Sequence, residues 1–372
     1  MEAIEGKIAG YDSIVNKRPF IKRWSYFNQF PQLPMWFLSY GHMAAKARFL
    51  HKIKTVYEYK IIKQCPLCGG VKFFLVANQE RHGLPISVVI CENCSLLFNN
   101  PRLNQDAMFD HLKTDARGLE RGQRSDIHDF MFSLQREKGP RIMEFLSFQP
   151  GSLKNIKSVA DIGCGEGGTL SYLKEFFEKV VGFELNEEAV NWGRREKGLD
   201  IKCASYREKD PNQSFDLVVY EQVLEHVLDL NEELRFLSAS QKIGDCVYIG
   251  LPGIFDFPDH YDHNFISYLE YQHVHHFTLY TLEMELAKYH YKLLKGNEII
   301  QALFERVAEE EEIILKSSKN TYKDILAFIR AEEQVFSKKR KPLKAYILYL
   351  IFWILFQLTT AAKKIFSRSS TK

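Results

Sequence analysis

Between Lys157 and Leu251 the chain alternates two patterns of apolar and polar positions. Short apolar runs, "KSVADIG", "KVVGFEL", "DIKCAS", "FDLVVYE" and "DCVYIGL", read as strands buried on both faces. Between them, "GGTLSYLKEFFEK" and "NEEAVNWGRREKG" place apolar residues at helical spacing. Strand and helix in alternation predict βαβ units on a parallel sheet, hence an α/β, doubly wound, Rossmann-like domain over 151–300.

The flanking patterns divide the rest. Residues 1–63 read as an aromatic and basic N-terminal extension, helical from Trp36 onward, and 64–100 hold two cysteine pairs. A charged helical linker is expected over 101–150, helix again beyond Thr278, and a charged helical region over 301–344. The last pattern is "AYILYLIFWILFQLTTAA", Ala345–Ala362, without a charge and near the minimum length for crossing a bilayer. Bases flank it on both sides, and Tyr346, Tyr349, Trp353, Gln357 and Thr360 share a stripe, so a helix lying at the membrane surface is expected alongside a crossing one.

Composition adds little. At 372 residues, 45% hydrophobic and 26% charged, the chain can bury more than one core, and a net charge of +3 gives no argument for a nucleic-acid partner. The N-terminus opens acidic and lacks the apolar core of a secretory signal, so a cytoplasmic location is expected, membrane-associated through the C-terminal segment. The pattern leaves the oligomeric state open.

Seven cysteines are an odd set for disulfides. "CPLCGG" and "CENC" give Cys65, Cys68, Cys91 and Cys94, two C-x-x-C pairs about two dozen residues apart, which fit one tetrahedral zinc better than two redox pairs. Four thiolates leave no open position, so this zinc is expected to be structural. Cys164, Cys203 and Cys246 lie on or beside predicted strands and read as small apolar residues.

Candidate chemistry gathers at "VADIGCGEGGTL", where Gly163, Gly165 and Gly167 follow a strand and open a helix. The spacing is not that of a dinucleotide loop, no lysine is present to meet a phosphate, and Asp161 would repel one. An acidic group beside close-approach glycines suits a ligand with a positive end. Glu184, about twenty residues on at the end of the next strand, can accept both hydroxyls of a ribose, with Leu185 against an adenine face.

"VADIGCGEGGTL", "VVGFELNEEAV" and "FDLVVYEQVLEHVLDL" together resemble class I S-adenosylmethionine-dependent methyltransferases over roughly 155–295. The resemblance implies that cofactor, with Asp161 and the three glycines at its methionine end, Glu184 on the ribose, Ala204 and Ser205 at the adenine edge, and Glu221 in the same site. "CASYREKD" departs from the family by lacking an acidic residue near the third strand, and "KIGDCVYIG" replaces its usual "PGG" turn. Related enzymes carry a histidine-plus-aromatic stretch after the fifth strand, which places His273 and His276 of "EYQHVHHF" on the acceptor side; His226 of "LEHV" is the third candidate base. "CENCSLLFNNPR" resembles the ribbon ahead of bacterial methyltransferases of surface-sugar and secondary-metabolite pathways, with Ser95 where a glycine is usual. The expected function is methylation of a sugar or lipid-linked glycan intermediate at the cytoplasmic membrane face, so the acceptor is a small-molecule or lipid-linked compound. The alternatives are a quinone-like or other lipid acceptor and an inactive zinc-ribbon scaffold.

Overall fold

The computed structural model describes residues 40–122, 125–147, 155–210, 212–338 and Ile351. The expected membrane segment, 345–362, lies outside the described residues apart from Ile351. Among the described residues no helix is long and apolar enough to cross a membrane.

A first helix, α1 (Tyr40–Thr55), leads to the strands β1 (Tyr59–Lys60), β2 (Phe73–Gln79), β3 (Pro85–Cys91), β4 (Leu97–Asn99) and β5 (Arg102–Leu103). Helices α2 (Gln105–His111), α3 (Arg117–Arg121), α4 (Ile127–Arg136) and α5 (Gly139–Leu146) follow, with a π turn at Leu112–Ala116 between the first two. The alternating region comprises β6 (Ser158–Ile162), α6 (Gly168–Leu173), β7 (Lys179–Glu184), α7 (Glu187–Lys197), β8 (Ile201–Cys203), β9 (Leu217–Glu221), α8 (Leu230–Ser240) and β10 (Cys246–Gly250). Then come α9 (Phe257–His260), α10 (Phe265–Tyr268), β11 (His275–His276), α11 (Leu279–Ala287), β12 (Tyr291–Gly296), β13 (Gln301–Arg306) and α12 (Tyr322–Lys338).

The large sheet has seven strands in the order β12-β13-β10-β9-β6-β7-β8. Its five alternating-region strands are mutually parallel, whereas β13 runs antiparallel to both β10 and β12. The sheet is therefore mixed, and β13 falls inside the stretch expected to be charged helix. "QALFER" buries only Ala302, Leu303 and Phe304, too short a run to be told from a helical turn by period. Its partners on β10 lie more than fifty positions away, so pairing decided the matter.

Residues next to each other on a strand face opposite layers. Val159, Leu217 and Val219 pack on Ile142, Met143 and Leu146 of α5 and Leu173 of α6. Ala160, Val218 and Val247 pack on Leu230, Leu234 and Leu237 of α8 and Leu282 and Leu286 of α11. Helix α7 is started by Asn186, whose side chain accepts from two backbone N–H groups, and stopped by Gly198 in the left-handed region.

The cysteine module forms a second sheet, in the order β11-β4-β3-β2. Its fourth strand comes from the other end of the chain, since His275 pairs with Phe98 and His276 with Leu97. All seven residues of β3 are buried. Val89 and Cys91 join the core under the large sheet, while Val88 and Ile90 join one built with α1, α10 and α12. The module is thus packed on both faces and welded to the larger domain.

Candidate active site

The glycine loop leaves the end of β6. Gly163, Gly165 and Gly167 all have positive φ, +63°, +55° and +84°. At Gly165 a side chain would be strained at this φ, and its Cβ would lie 2.3 Å from the amide nitrogen of Gln135, which would have to swing away from its bonds to Glu166 and Gly168. Asp161 is almost fully buried, and its Oδ2 has no hydrogen-bond partner. Burial, with Glu221 nearby, pushes its carboxyl up to about 8; Lys138 opposes this and Glu184 adds to it.

Glu184 ends β7 with one oxygen accepting from Gly165 N at 2.9 Å and the other from Asn186 N at 2.7 Å. Burial raises its pKa while these N–H groups pull it back. Leu185 is 54% exposed at the rim. Ser205 caps a short turn: its hydroxyl accepts from Arg207 N at 3.3 Å, and Glu208 accepts from Ser205 N at 3.0 Å. Glu221 ends β9 with a carboxylate oxygen 3.4 Å from Lys138 Nζ.

Sequence reading missed a cap over this loop. Glu166 is fully buried and accepts from His128 Nδ1 at 2.9 Å and Gln135 Nε2 at 3.1 Å, with Arg117 at 3.1 Å. Gln135 Oε1 accepts from Gly168 N at 3.1 Å, and Thr169 Oγ1 donates to the Gln135 carbonyl at 2.9 Å, which lays α4 across the loop. No local spacing connects residues 31 to 49 positions apart, so nothing in the sequence signals this.

Beyond the ends of β9 and β10 opens a cleft of about 190 Å³, lined in part by Lys138, Arg141, Glu221, Asp256, His260 and Tyr261. Two of the three candidate histidines come together on the turn after β9 and the segment before β11. The His226 and His273 rings are 4.9 Å apart, and one polar atom each of Glu225, His226 and His273 lies within 4.8 Å of the others. His226 Nδ1 donates to the Gln272 carbonyl at 3.1 Å, leaving the lone pair on Nε2. Burial pushes His226 down to about 4, and burial with His226, His276 and Arg81 holds His273 well below the usual range, so both are neutral near pH 7.

Glu225, which sequence reading passed over, is buried with neither carboxylate oxygen bonded, and burial pushes it up to about 8. His276 lies on the seam between β11 and β4, its ring 6.4 Å from that of His273. It is 1% exposed, with neither nitrogen bonded and its ring 5.3 Å from that of Tyr268; burial pushes it down to about 3.

Cys65, Cys68, Cys91 and Cys94 come together, with Cys65 to Cys94 at 3.5 Å and Cys68 to Cys91 at 3.6 Å between sulfurs. Tetrahedral zinc at ~2.3 Å from each sulfur implies about 3.8 Å between them, so the four thiols fit that ion. Backbone knuckles support both pairs: Gly69 N donates to Cys65 O and Ser95 N to Cys91 O. Ser95 takes the left-handed φ of +71° that a glycine would take more readily, and its hydroxyl donates to the Asn320 carbonyl at 2.9 Å.

A parallel sheet switching direction at β6, a glycine loop beside a lone buried aspartate, and a second carboxylate on the next strand define a Rossmann-like domain built for a ribose-bearing cofactor with a cationic end. Residues 133–295, a little under half of the chain, match the family described as a methyltransferase domain, which supports a class I S-adenosylmethionine-dependent methyltransferase domain in this region. A ubiquinone biosynthesis O-methyltransferase of Bradyrhizobium diazoefficiens is 29% identical over 89 residues, 23% of this chain and 35% of that protein. A cyclopropane-fatty-acyl-phospholipid synthase of Escherichia coli is 33% identical over 110 residues, 29% of this chain and 28% of the other. The chain thus spans about a third of the length of these relatives. Human N-acetylserotonin methyltransferase, solved with S-adenosylmethionine, is 16% identical, with a TM-score of 0.40 over 52% of this chain and 59% of that one.

Proposed function

We propose that the protein transfers a methyl group from S-adenosylmethionine to a hydroxyl of a sugar or lipid-linked glycan intermediate. The observation that carries the acceptor class is the cleft beyond β9 and β10. Lys138, Arg141, Glu221, Asp256 and His260 give it a wall of donors and acceptors suited to a polyhydroxylated compound. The bases flanking the apolar stretch 345–362 support delivery at a cytoplasmic membrane face. A quinone-like acceptor is the second reading, favoured by the matched ubiquinone biosynthesis enzyme.

S-Adenosylmethionine, when bound, supplies a methyl group on a positively charged sulfur, an excellent leaving group, so alignment does most of the work. Asp161 and the glycine loop would hold its amino-acid end, Glu184 the ribose, and Glu221 with Lys138 the boundary with the acceptor cleft. The pair His226 and His273 would take the proton of the acceptor hydroxyl, each keeping one nitrogen lone pair. His276, buried with neither nitrogen bonded, has a packing role in this reading. The four cysteines would hold zinc as a clip for the module.

Transfer of labelled methyl from S-adenosylmethionine into host membrane and soluble fractions tests this, comparing wild type with Asp161→Ala and Glu184→Ala. Label in acid-labile lipid that depends on both carboxylates supports the glycan reading. Acid-stable lipid label moves the acceptor to the quinone class, and cofactor binding with no labelled fraction refutes methyl transfer to either.

A further inference from the structure

The hairpin of the cysteine module reaches well beyond its cysteines. Strand β3 is seven residues long, about 23 Å, with Cys91 at one end and the turn Glu80–Leu84 beyond the other. That turn is pinned: Glu80 accepts from the backbone N–H of both His82 and Leu84 at 2.9 Å, and Arg81 N donates to the Leu269 carbonyl at 3.1 Å. The Arg81 side chain is 6% exposed and enters the larger domain, its guanidinium 5.2 Å from the ring centre of Tyr261, a residue of the acceptor cleft.

There Arg81 forms an ion pair with Oε1 of Glu270 and approaches Glu120 at 3.4 Å. The other oxygen of Glu270 accepts from Gln272 Nε2 at 2.7 Å and lies 3.3 Å from His273 Nε2. Arg81, Glu270, Gln272 and His273 are all buried. When Glu270 is ionised it can only accept, which favours His273 with its proton on Nε2 and its lone pair on Nδ1. A protonated Glu270 would donate instead and drive the ring to the opposite tautomer.

We propose that Arg81, carried in by the cysteine module, is a positioning residue: its ion pair favours the Glu270 anion, and that anion holds His273 in the Nε2–H tautomer that leaves Nδ1 to take the acceptor's proton. This rests on the methyl-transfer reading above. In that step the acceptor oxygen bonds to the methyl carbon, the carbon–sulfur bond breaks with its electron pair left on sulfur, and the hydroxyl proton passes to His273. The module thereby gains a part in the reaction beside its structural one.

Burial pushes Glu270 up to about 7 even with Arg81 and His82 favouring its anion, and Glu120, Glu80, Tyr261 and Glu225 add to the push. His273 is faced by His226, His276 and Arg81. Without Arg81 the Glu270 carboxyl rises further, and its protonated form persists to higher pH.

The test is the tautomer itself, read by long-range nitrogen–proton NMR on the full chain labelled with nitrogen-15 histidine, with His273 assigned from a His273→Gln variant. In wild type the Nε2–H form of His273 should take over as pH rises through about 7. Arg81→Met should move that crossover to higher pH, and Arg81→Lys should keep it near the wild-type position. An Nδ1–H ring in wild type at pH 9, or an unmoved crossover in Arg81→Met, overturns the proposal. If Arg81→Met does not fold, acid titration of wild type decides: a flip of the His273 tautomer before the ring protonates supports the mechanism, and its absence overturns it. Label transfer by His273→Ala separates the two readings, because full transfer by that variant refutes the base assignment whatever the tautomer shows.

Discussion

Replacing Asp161 by asparagine removes one charge from the cofactor pocket at constant shape, and proton counting measures what that charge does. The aspartate carboxyl is pushed up to about 8 by burial and by its acidic neighbours. At pH 7 it is therefore about 90% protonated in the free protein, and at pH 9 about 10%. A bound cationic amino group favours the charged form, so binding must expel that proton. The sign follows: free protein holds more protons than complex below about pH 8, and affinity rises with pH by up to about tenfold per unit before levelling off. Titration calorimetry of S-adenosylmethionine binding in buffers of different ionisation enthalpy reads the number released. Because the ligand's own amino group titrates near pH 8, the difference between wild type and Asp161→Asn is the quantity of interest. That difference should be about 0.9 proton at pH 7 and about 0.1 at pH 9. The variant should also bind about 10- to 150-fold more weakly, a charged hydrogen bond contributing about 1.5–3 kcal/mol. Equal proton release by both proteins at pH 7 would refute the assignment of Asp161 to the cationic end.

Gly165→Ala should weaken cofactor binding by at least tenfold and lower stability by about 1–2 kcal/mol, since φ is +55° and the added carbon meets Gln135 at 2.3 Å; thermal melts with and without cofactor check both. The purified protein should carry about one zinc per chain by mass spectrometry of the metal. Cys68→Ser should lose it and, with it, the protection of the β2–β3 hairpin from hydrogen exchange. Retention of a full equivalent of metal by that variant would place the ion elsewhere.

The parallel strands were legible because each is an apolar run of five or so residues between helical periods, and burial on both faces needs nothing else from the sequence. Asp161, Glu184 and Glu221 could be named for the same reason, since strand ends in such a sheet point to one edge. What could not be read was pairing at a distance. The short polar-edged strands β12 and β13 looked helical, and "HVHHF" looked like one catalytic cluster. The structure turns that cluster two ways: His273 faces His226, while His275 and His276 complete the sheet of the cysteine module, the His276 ring staying 6.4 Å from that of His273. Alternation along a strand sends neighbours to opposite faces, so three histidines within four positions cannot share a site unless the chain bends.

That same strand explains why the cysteine module cannot be a detached ribbon. Once His275 and His276 pair with Phe98 and Leu97, the segment from Glu270 to Val274 is fixed between two sheets; Asn99 N donates to the Val274 carbonyl and Val274 N to the Glu225 carbonyl. His226 and His273 approach each other because one bond anchors this segment to the module and the next anchors it to the turn after β9. A perturbation that loosens the hairpin, metal loss included, therefore acts on the spacing of the two histidines before it acts on the glycine loop, whose hydrogen bonds run to β7, α4 and their own helix. Cofactor affinity should outlast methyl transfer as the module is weakened. The reverse order would mean that the two sheets are coupled through the cap of α4 instead.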